Sequence, residues 1–403
     1  MKISVALLFL IAISIGCRSA SAVELGGVEV HGFVSQGFLV GSKENNAISS
    51  DSGKGSFHYN EFGLNFTKQI TDELHIGMQL FAQDRGSYGK DKITIDWGFA
   101  DYHFKDWLGI RAGKIKNPIG LYGETLDVDL LRTFVVMPQT IYYDDMRDTY
   151  IATTGGEVYG SVPLGNAGNA AYRFLIGTVS PTTDDGTAMR LNSIFGRSLP
   201  GNPVVKIDEI NAKTVYSSSL EWNTPVQGLR LQGSYYVAGI DGHADSNSSA
   251  SPLQSFTWGL HDYTRRIASI EYTWQDLVLA GEYEWFDYTS VSSLSTPSKS
   301  KGEQWYVSAS YRLTDKIEAG AYYTEYFDPD DRDGSLYHAS TGLPAHNKYF
   351  KDTAMALKFD PVNNLALKLE GHLITGSNIL DAQNYPTASK NSFLFATKVT
   401  ISF

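Results

Sequence analysis

Residues 391–403 read NSFLFATKVTISF, so Phe393, Phe395, Thr397, Val399, Ile401 and Phe403 fall on one set of alternate positions. A period of two marks a strand whose two faces meet different surroundings. The same period recurs upstream. Leu74, Ile76, Met78, Leu80 and Ala82 alternate with His75, Gly77, Gln79 and Gln83; Trp305, Val307, Ala309, Tyr311 and Leu313 alternate with Gln304, Tyr306, Ser308, Ser310 and Arg312. Leu365, Leu367, Leu369 and Leu373 do so with Ala366, Lys368, Glu370 and His372.

The connections carry more information than any single strand. Short turns recur at 68–73, 105–107, 163–169, 223–228, 275–276, 314–316 and 360–364. Longer polar stretches lie between them, near 41–55, 84–91, 117–149, 181–211, 240–262, 288–302, 328–352 and 377–391. These alternating connections imply sixteen strands. The pattern predicts an all-β fold, a 16-stranded antiparallel transmembrane β-barrel with short periplasmic turns and long extracellular loops. The 13 prolines fall in turns and loops, as expected where strand interiors must donate every ladder hydrogen bond. Tyr102, Phe104, Trp107, Trp222, Trp274 and Phe359 stand beside the short turns, where an interfacial girdle would lie. Closure leaves no sheet edge in lipid, and sixteen strands enclose a lumen wide enough for water.

Composition agrees. The chain has 24 Tyr, 20 Phe, 7 Trp and 38 Gly, with only 19% charged residues, which fits neither a disordered chain nor a helical bundle. The net charge of −11, without a basic patch, argues against nucleic acid as a partner. Residues 1–22 read as a signal peptide: Lys2, an apolar run from Ile3 to Ile15, then Ala20-Ser21-Ala22 as the cleavage site. Residues 23–403 would form the barrel domain. Cleavage would remove Cys17, the only cysteine, leaving no thiol for disulfides or metals.

The ending on Phe403 resembles the C-terminal signal of bacterial outer-membrane proteins, which implies the barrel-assembly machinery as a partner. A second resemblance lies in residues 111–148. Arg111-Ala112-Gly113-Lys114-Ile115-Lys116-Asn117-Pro118-Ile119-Gly120-Leu121-Tyr122 is followed by Glu124-Thr125, Asp127-Val128, Arg132-Thr133, Met137-Pro138-Gln139 and Ile141-Tyr142. This stretch of about 40 residues resembles Gram-negative porins related to the phosphate-selective porin family. The resemblance implies a homotrimer in the cell outer membrane, in contact with its lipid and lipopolysaccharide. It also implies a third loop folded inward to narrow the channel. Phosphate-selective members line the pore with Arg and Lys, whereas the inferred lumen here mixes both signs: Arg111, Arg173, Arg230, Arg312, Lys358 and Lys368 against Glu61, Glu221, Glu271, Glu282, Glu284, Glu318 and Glu370.

The expected site is therefore a constriction built from Arg111, Lys114, Lys116, Glu124, Asp127, Asp129, Arg132, Asp144, Asp145 and Arg147. Loop carboxylates opposed to wall residues such as Arg111 and Arg230 would set up a transverse field. The expected function is passive diffusion of small hydrophilic solutes and ions, leaning toward cations. An anion-selective pore of the phosphate type is the alternative, and a non-conducting adhesive or structural barrel a further one. The plainer reading of the loop acids is a solvated surface loop with ordinary salt bridges. No cofactor, metal or catalytic residue is expected: the nine histidines show no metal spacing, and there is no nucleophile elbow. Ser308 and His372, both inward by parity, carry no mark of a catalytic pair. Asp328, Asp330, Asp331 and Asp333 before Gly334 are spaced like a calcium loop, but Pro329 and Ser340 replace required ligands. A bulge or strand start near Phe99 is expected, because the apolar parity of 93–104 changes there.

Overall fold

The computed structural model describes residues 23–42, 52–86, 89–199, 203–248, 251–378 and 389–403. The signal peptide expected at 1–22 lies outside them, as do parts of the first and eighth long loops. In chain order the strands are β1 (Val23–Leu25), β2 (Val28–Gly41), β3 (Asn60–Gln69), β4 (Leu74–Asp84), β5 (Thr94–Lys105), β6 (Leu108–Lys116), β7 (Ala152–Pro163), β8 (Asn169–Thr178) and β9 (Val204–Ala212). They continue with β10 (Val215–Asn223), β11 (Leu229–Ser248), β12 (Ser251–Trp274), β13 (Leu277–Ser292), β14 (Ser295–Thr314) and β15 (Ile317–Phe327). The last three are β16 (Phe350–Val362), β17 (Leu365–Gly376) and β18 (Asn391–Ser402).

Eighteen segments make sixteen staves. β1 is a short hairpin arm on β2. β9 and β10 form one interrupted stave, since β10 pairs with the lower part of β11 and β9 with the upper part. Across the break, Lys213 N donates to Gly239 O at 2.8 Å and keeps the ladder continuous. Every other strand pairs antiparallel with its sequence neighbour, and β18 pairs with β2 to close the barrel. The β18–β2 pairing joins the last stave to the first, which is the condition for a sheet in lipid.

Burial is inverted relative to a soluble barrel. Ile76, Ile110, Phe174, Leu220, Ile270, Val307, Leu373 and Phe393 are exposed on the outer face, while Gln79, Glu157, Ser217, Glu284, Gln304, Lys368 and Lys398 are buried on the inner one. The aromatics flanking the short turns are all exposed, forming the expected outer ring. Among the described residues no helix is long and apolar enough to cross a membrane.

All seven short turns occur where expected, but three long connections differ. Residues 240–262 and 288–302 are mostly strand: β11–β12 and β13–β14 run on as tall hairpins, the second reversing at Ser293–Leu294. Their Ser, Thr and Asn content reads as loop, yet the ladder pairing holds them extended. The stretch 181–211 contains a helix, Gly186–Ser198, and then β9. Asp185 starts that helix by accepting from Ala188 N at 2.8 Å. The expected bulge lies between Gln79–Trp97 and Leu80–Ile95, so Asp96 is the extra residue, three positions before Phe99. Ile95 thus faces out, whereas Trp97 and Phe99 face in with Asp101.

Candidate pore constriction

The third long connection, 117–151, folds into the barrel and crosses it. It leaves from β6, whose opposite stave is β15. Thr133 donates to Glu318 on β15, and Thr140 meets Thr324 on the same strand at 2.5 Å. On the way, Leu121 N donates to Glu282 at 3.0 Å, Tyr122 Oη to Glu271 at 2.7 Å, and Tyr142 Oη to Glu282. Gly120 permits this approach: its φ is +67°, and a Cβ there would stand 2.7 Å from Glu282 Oε2 and 2.7 Å from Tyr142 Oη.

Two arms of the loop are fixed differently. One end of the crossing is electrostatic. Asp129 receives Thr400 Oγ1 at 2.6 Å, Lys368 Nζ at 3.1 Å, Lys398 Nζ at 3.2 Å and Arg132 at 3.3 Å. Burial alone would raise the Asp129 carboxyl, but Lys368, Lys398 and Arg132 outweigh it and hold it well below the usual carboxylate range. Lys358 Nζ adds a bond to Leu130 O at 2.6 Å, and Glu370 accepts from Val135 N at 2.8 Å and Val136 N at 2.9 Å.

The other means of attachment is apolar. Val135 and Val136 pack with Leu39, Tyr59, Phe350, Ile374 and Leu394 from the inner wall. Phe134 packs on Tyr322, Ala354 and Ala356, with ring centroids 5.0 Å apart for the aromatic pair. Ile119, Met137, Ile141 and Tyr142 join Val179, Val215, Tyr236, Ile267 and Tyr306. The helix Gly186–Ser198 braces the loop from the long-loop end through Arg190 to Asp145 at 2.6 Å and Thr187 to Thr149 at 2.6 Å.

The residues expected at the constriction therefore separate into groups. Lys116 pairs with Asp127 inside the lumen, Arg132 with Asp129, Asp145 with Arg190, and Arg147 with Asp96 at 2.7 Å. Glu124 is half exposed and pairs with Arg173 of β8. Asp144 lies in the turn that follows, its N–H bonded to Gln139 at 3.2 Å. Lys114 stands apart: it is paired with Gly98 on the face of exposed Ile110, and its Nζ donates to Ile95 O at 2.7 Å.

Arg111 and Arg230 do not oppose the loop acids as expected. Each is held within the wall. Arg111 binds Asp101 at 2.7 Å and Glu157 at 3.2 Å, and Arg173 binds Glu157 at 2.6 Å. Arg230 binds Glu221 at 3.2 Å and Glu271 at 2.9 Å. Direct register places Asp101 beside Arg111, Arg111 beside Glu157 and Arg230 beside Glu271, with diagonal neighbours completing the run. The result is a belt of alternating charge on the staves from β5 to β12. Of the loop acids, Asp129 instead meets lysines from β17 and β18, Lys368 and Lys398. Neither is among the residues expected at the constriction: Lys368 appears only in the inferred lumen and Lys398 in neither set, although its place among outward aromatics marks it as inward.

The remaining candidates resolve into structural roles. Both ring nitrogens of His372 are engaged, by Asp352 and Glu370, each at 2.9 Å, leaving none for Ser308. Asp331 accepts from Leu336 N at 2.9 Å and Tyr337 N at 2.8 Å at the start of the helix Ser335–Thr341, and Lys348 pairs with Asp328 at 3.1 Å. Asp331 thus organises the helix start, while Asp328 serves an ion pair.

No family model and no curated protein matches the chain. Solved structures do. The outer membrane channel DcaP of Acinetobacter baumannii matches at a TM-score of 0.55 and 12% identity, over 95% of this chain and 100% of that one. OmpF of Salmonella typhi, in complex with daunomycin, gives 0.57 and 11% over 95% and 100%. An anion-selective porin from Comamonas acidovorans gives 0.52 and 10% over 93% and 99%. The chain has the fold of outer-membrane porins.

Proposed function

We propose that the chain is an outer-membrane channel for passive diffusion of small hydrophilic solutes and ions, narrowed by the loop 117–151. One observation carries this reading: a loop anchored at both ends in the wall crosses the lumen to the opposite stave, while charged wall residues at its base keep access to solvent. Arg111, Lys116, Glu124, Asp127, Asp129, Arg132, Asp144, Asp145 and Arg147 would shape the narrow section, Lys114 standing on the outer face. Export through a cleaved leader, assembly through Phe403, contact with lipid and lipopolysaccharide, and a homotrimer belong to the same proposal. The similar structures lend the trimer support, since one describes OmpT of Vibrio cholerae in a trimer form. The relation to phosphate-selective porins rests on the 111–148 resemblance, and the mixed lumen charge speaks against phosphate as the preferred solute.

A second reading has an observation of its own. The apolar packing of Phe134, Val135 and Val136 against the wall favours a barrel that the loop seals. Conductance of the refolded protein in a planar bilayer separates the two. Steps in groups of three under a potassium chloride gradient support the trimeric channel; folded protein that passes no current supports the sealed barrel.

A further inference from the structure

A second cluster of titratable side chains lies outside the lumen. In the upper half of the interrupted stave, β9 pairs with β11, and Val205, Ile207 and Ala244 turn onto Leu191 of the helix Gly186–Ser198. His243 and Asp245 flank Ala244 in β11 and so take the opposite, outward face. The pairing steps from His243–Glu209 to Ala244–Ile207, which leaves Asp208 as an extra residue of β9. A bulge of this kind re-aims a side chain: Asp208 and Glu209 are exposed in succession, where strict alternation would bury one of them. One ligand atom from each of Asp208, His243 and Asp245 then lies within 4.8 Å of the other two. His243 Nδ1 stands 2.7 Å from Asp208 Oδ1, and Ser255 Oγ of β12 donates to Asp245 Oδ1 at 2.5 Å.

We propose that Asp208, His243 and Asp245 hold one divalent transition-metal cation of the zinc class on the outward face of the tall β11–β12 hairpin. The proposal goes beyond the channel reading and does not rest on it. One imidazole nitrogen with two carboxylate oxygens suits zinc, copper(II) or nickel, whereas calcium and magnesium take oxygen ligands. A metal bound at about 2.0–2.2 Å from each ligand holds its donors roughly 3–4 Å apart, so rotation of these side chains closes the set. Two carboxylates with a neutral imidazole balance the two charges of the ion. Ser255 steadies the Asp245 carboxylate from the next strand, the part that an outer-shell donor plays. The other charged groups on this face are Glu209 opposite His243, Lys206 opposite Asp245, and Asp241, which pairs with Lys213 at 3.3 Å. The ion ties β9 to β11 above the break that separates β9 from β10. Linear spacing hides the set, because Asp208 and His243 are 35 residues apart and meet only through the bulge.

The test is calorimetric titration of zinc into the full-length, untagged protein, folded in detergent and freed of metal with a chelator. One equivalent should bind, and calcium or magnesium at the same concentration should not displace it. Asp208→Asn, Asp245→Asn and His243→Ala should each weaken binding about tenfold or more, and Ser255→Ala about tenfold. The two Asn variants keep the shape of the side chain, and all four positions face away from the packing around Leu191 and Trp258, so the barrel should still close. Copper(II) in place of zinc should give an electron paramagnetic resonance signal split by one nitrogen, absent in His243→Ala. Zinc should also slow hydrogen exchange along β9 in the unsubstituted chain and not in Asp208→Asn. Folded protein that takes up no zinc overturns the proposal, and so does binding with an unchanged nitrogen signal in His243→Ala, which would place the metal elsewhere. None of these readouts involves conductance, so their failure leaves the channel reading where it stands.

Discussion

Asp129 is the residue on which the docked loop depends most, and Asp129→Asn separates loop docking from barrel stability. The carboxylate is 1% exposed and meets Lys368, Lys398, Arg132 and Thr400. The amide cannot balance these cations. Lys398 keeps Glu61 at 2.6 Å, but Lys368 is left with the carbonyls of Asp129 and Phe134 alone. Removing one partner from a buried ion pair costs about 3–5 kcal/mol, because the other charge stays buried and unpaired. The barrel ladder is untouched, so the cost falls on docking. The assay is native-state hydrogen exchange at Val135 and Val136, whose amides donate to Glu370. Their protection should fall by roughly two to four orders of magnitude, at about 1.4 kcal/mol per decade, while amides of β17 and β18 stay protected. Adding Lys368→Met should restore much of it. Unchanged protection at 135–136, or equal loss along β17 and β18, would refute the reasoning.

Phe134→Ala should cost about 3–5 kcal/mol of docking by opening a cavity against Tyr322, Ala354 and Ala356, read as a noisier, larger single-channel current. Glu370→Gln keeps one acceptor oxygen for two loop amides, and should lower protection at Val135 and Val136 by about 1–3 kcal/mol in the same exchange experiment. Gly120→Val should displace Tyr142 from Glu282, seen as loss of the Tyr142 hydroxyl bond in the tyrosine ultraviolet spectrum. The Asp129 carboxyl is held below its unfolded value, so its contribution is present above about pH 4 and is lost only as pH falls through the lower folded value. Exchange at 135–136 should therefore not rise between pH 7 and pH 5 beyond the intrinsic rate change.

Much of this was legible in the alternation of residues. Parity alone places Arg230, Glu271, Glu282 and Lys368 inside and Phe393 outside; it also sets Lys114 and Lys116, three and five positions from Arg111, on the other face, yet the Lys116 ammonium reaches back to Asp127. The partners were not legible. Arg111 choosing Glu157 over the loop acids depends on the register of β6 against β7, which a single chain read in order does not contain. Nor did the loop acids reveal that Val135 and Val136 would dock on Leu39 and Leu394: that contact joins an apolar run inside a polar loop to inward apolar positions far apart in sequence. The tall hairpins were hidden for another reason. Serine and threonine on both faces remove the periodic signal while the ladder still forms.

The partners that the wall gives Asp129 come from the end of the chain. Asp129 and Thr400 are 271 residues apart, and Lys398 belongs to the last strand, which pairs with β2 to close the wall. Until that strand is in place the loop lacks Lys398, Thr400 and the Leu394 side of its apolar seat, so it cannot settle fully before closure. Docking is then a report on completion. A chain arrested before closure carries Val135 and Val136 without the Leu394 side of their seat and Asp129 without Lys398 and Thr400, a surface that differs from the finished barrel at one spot.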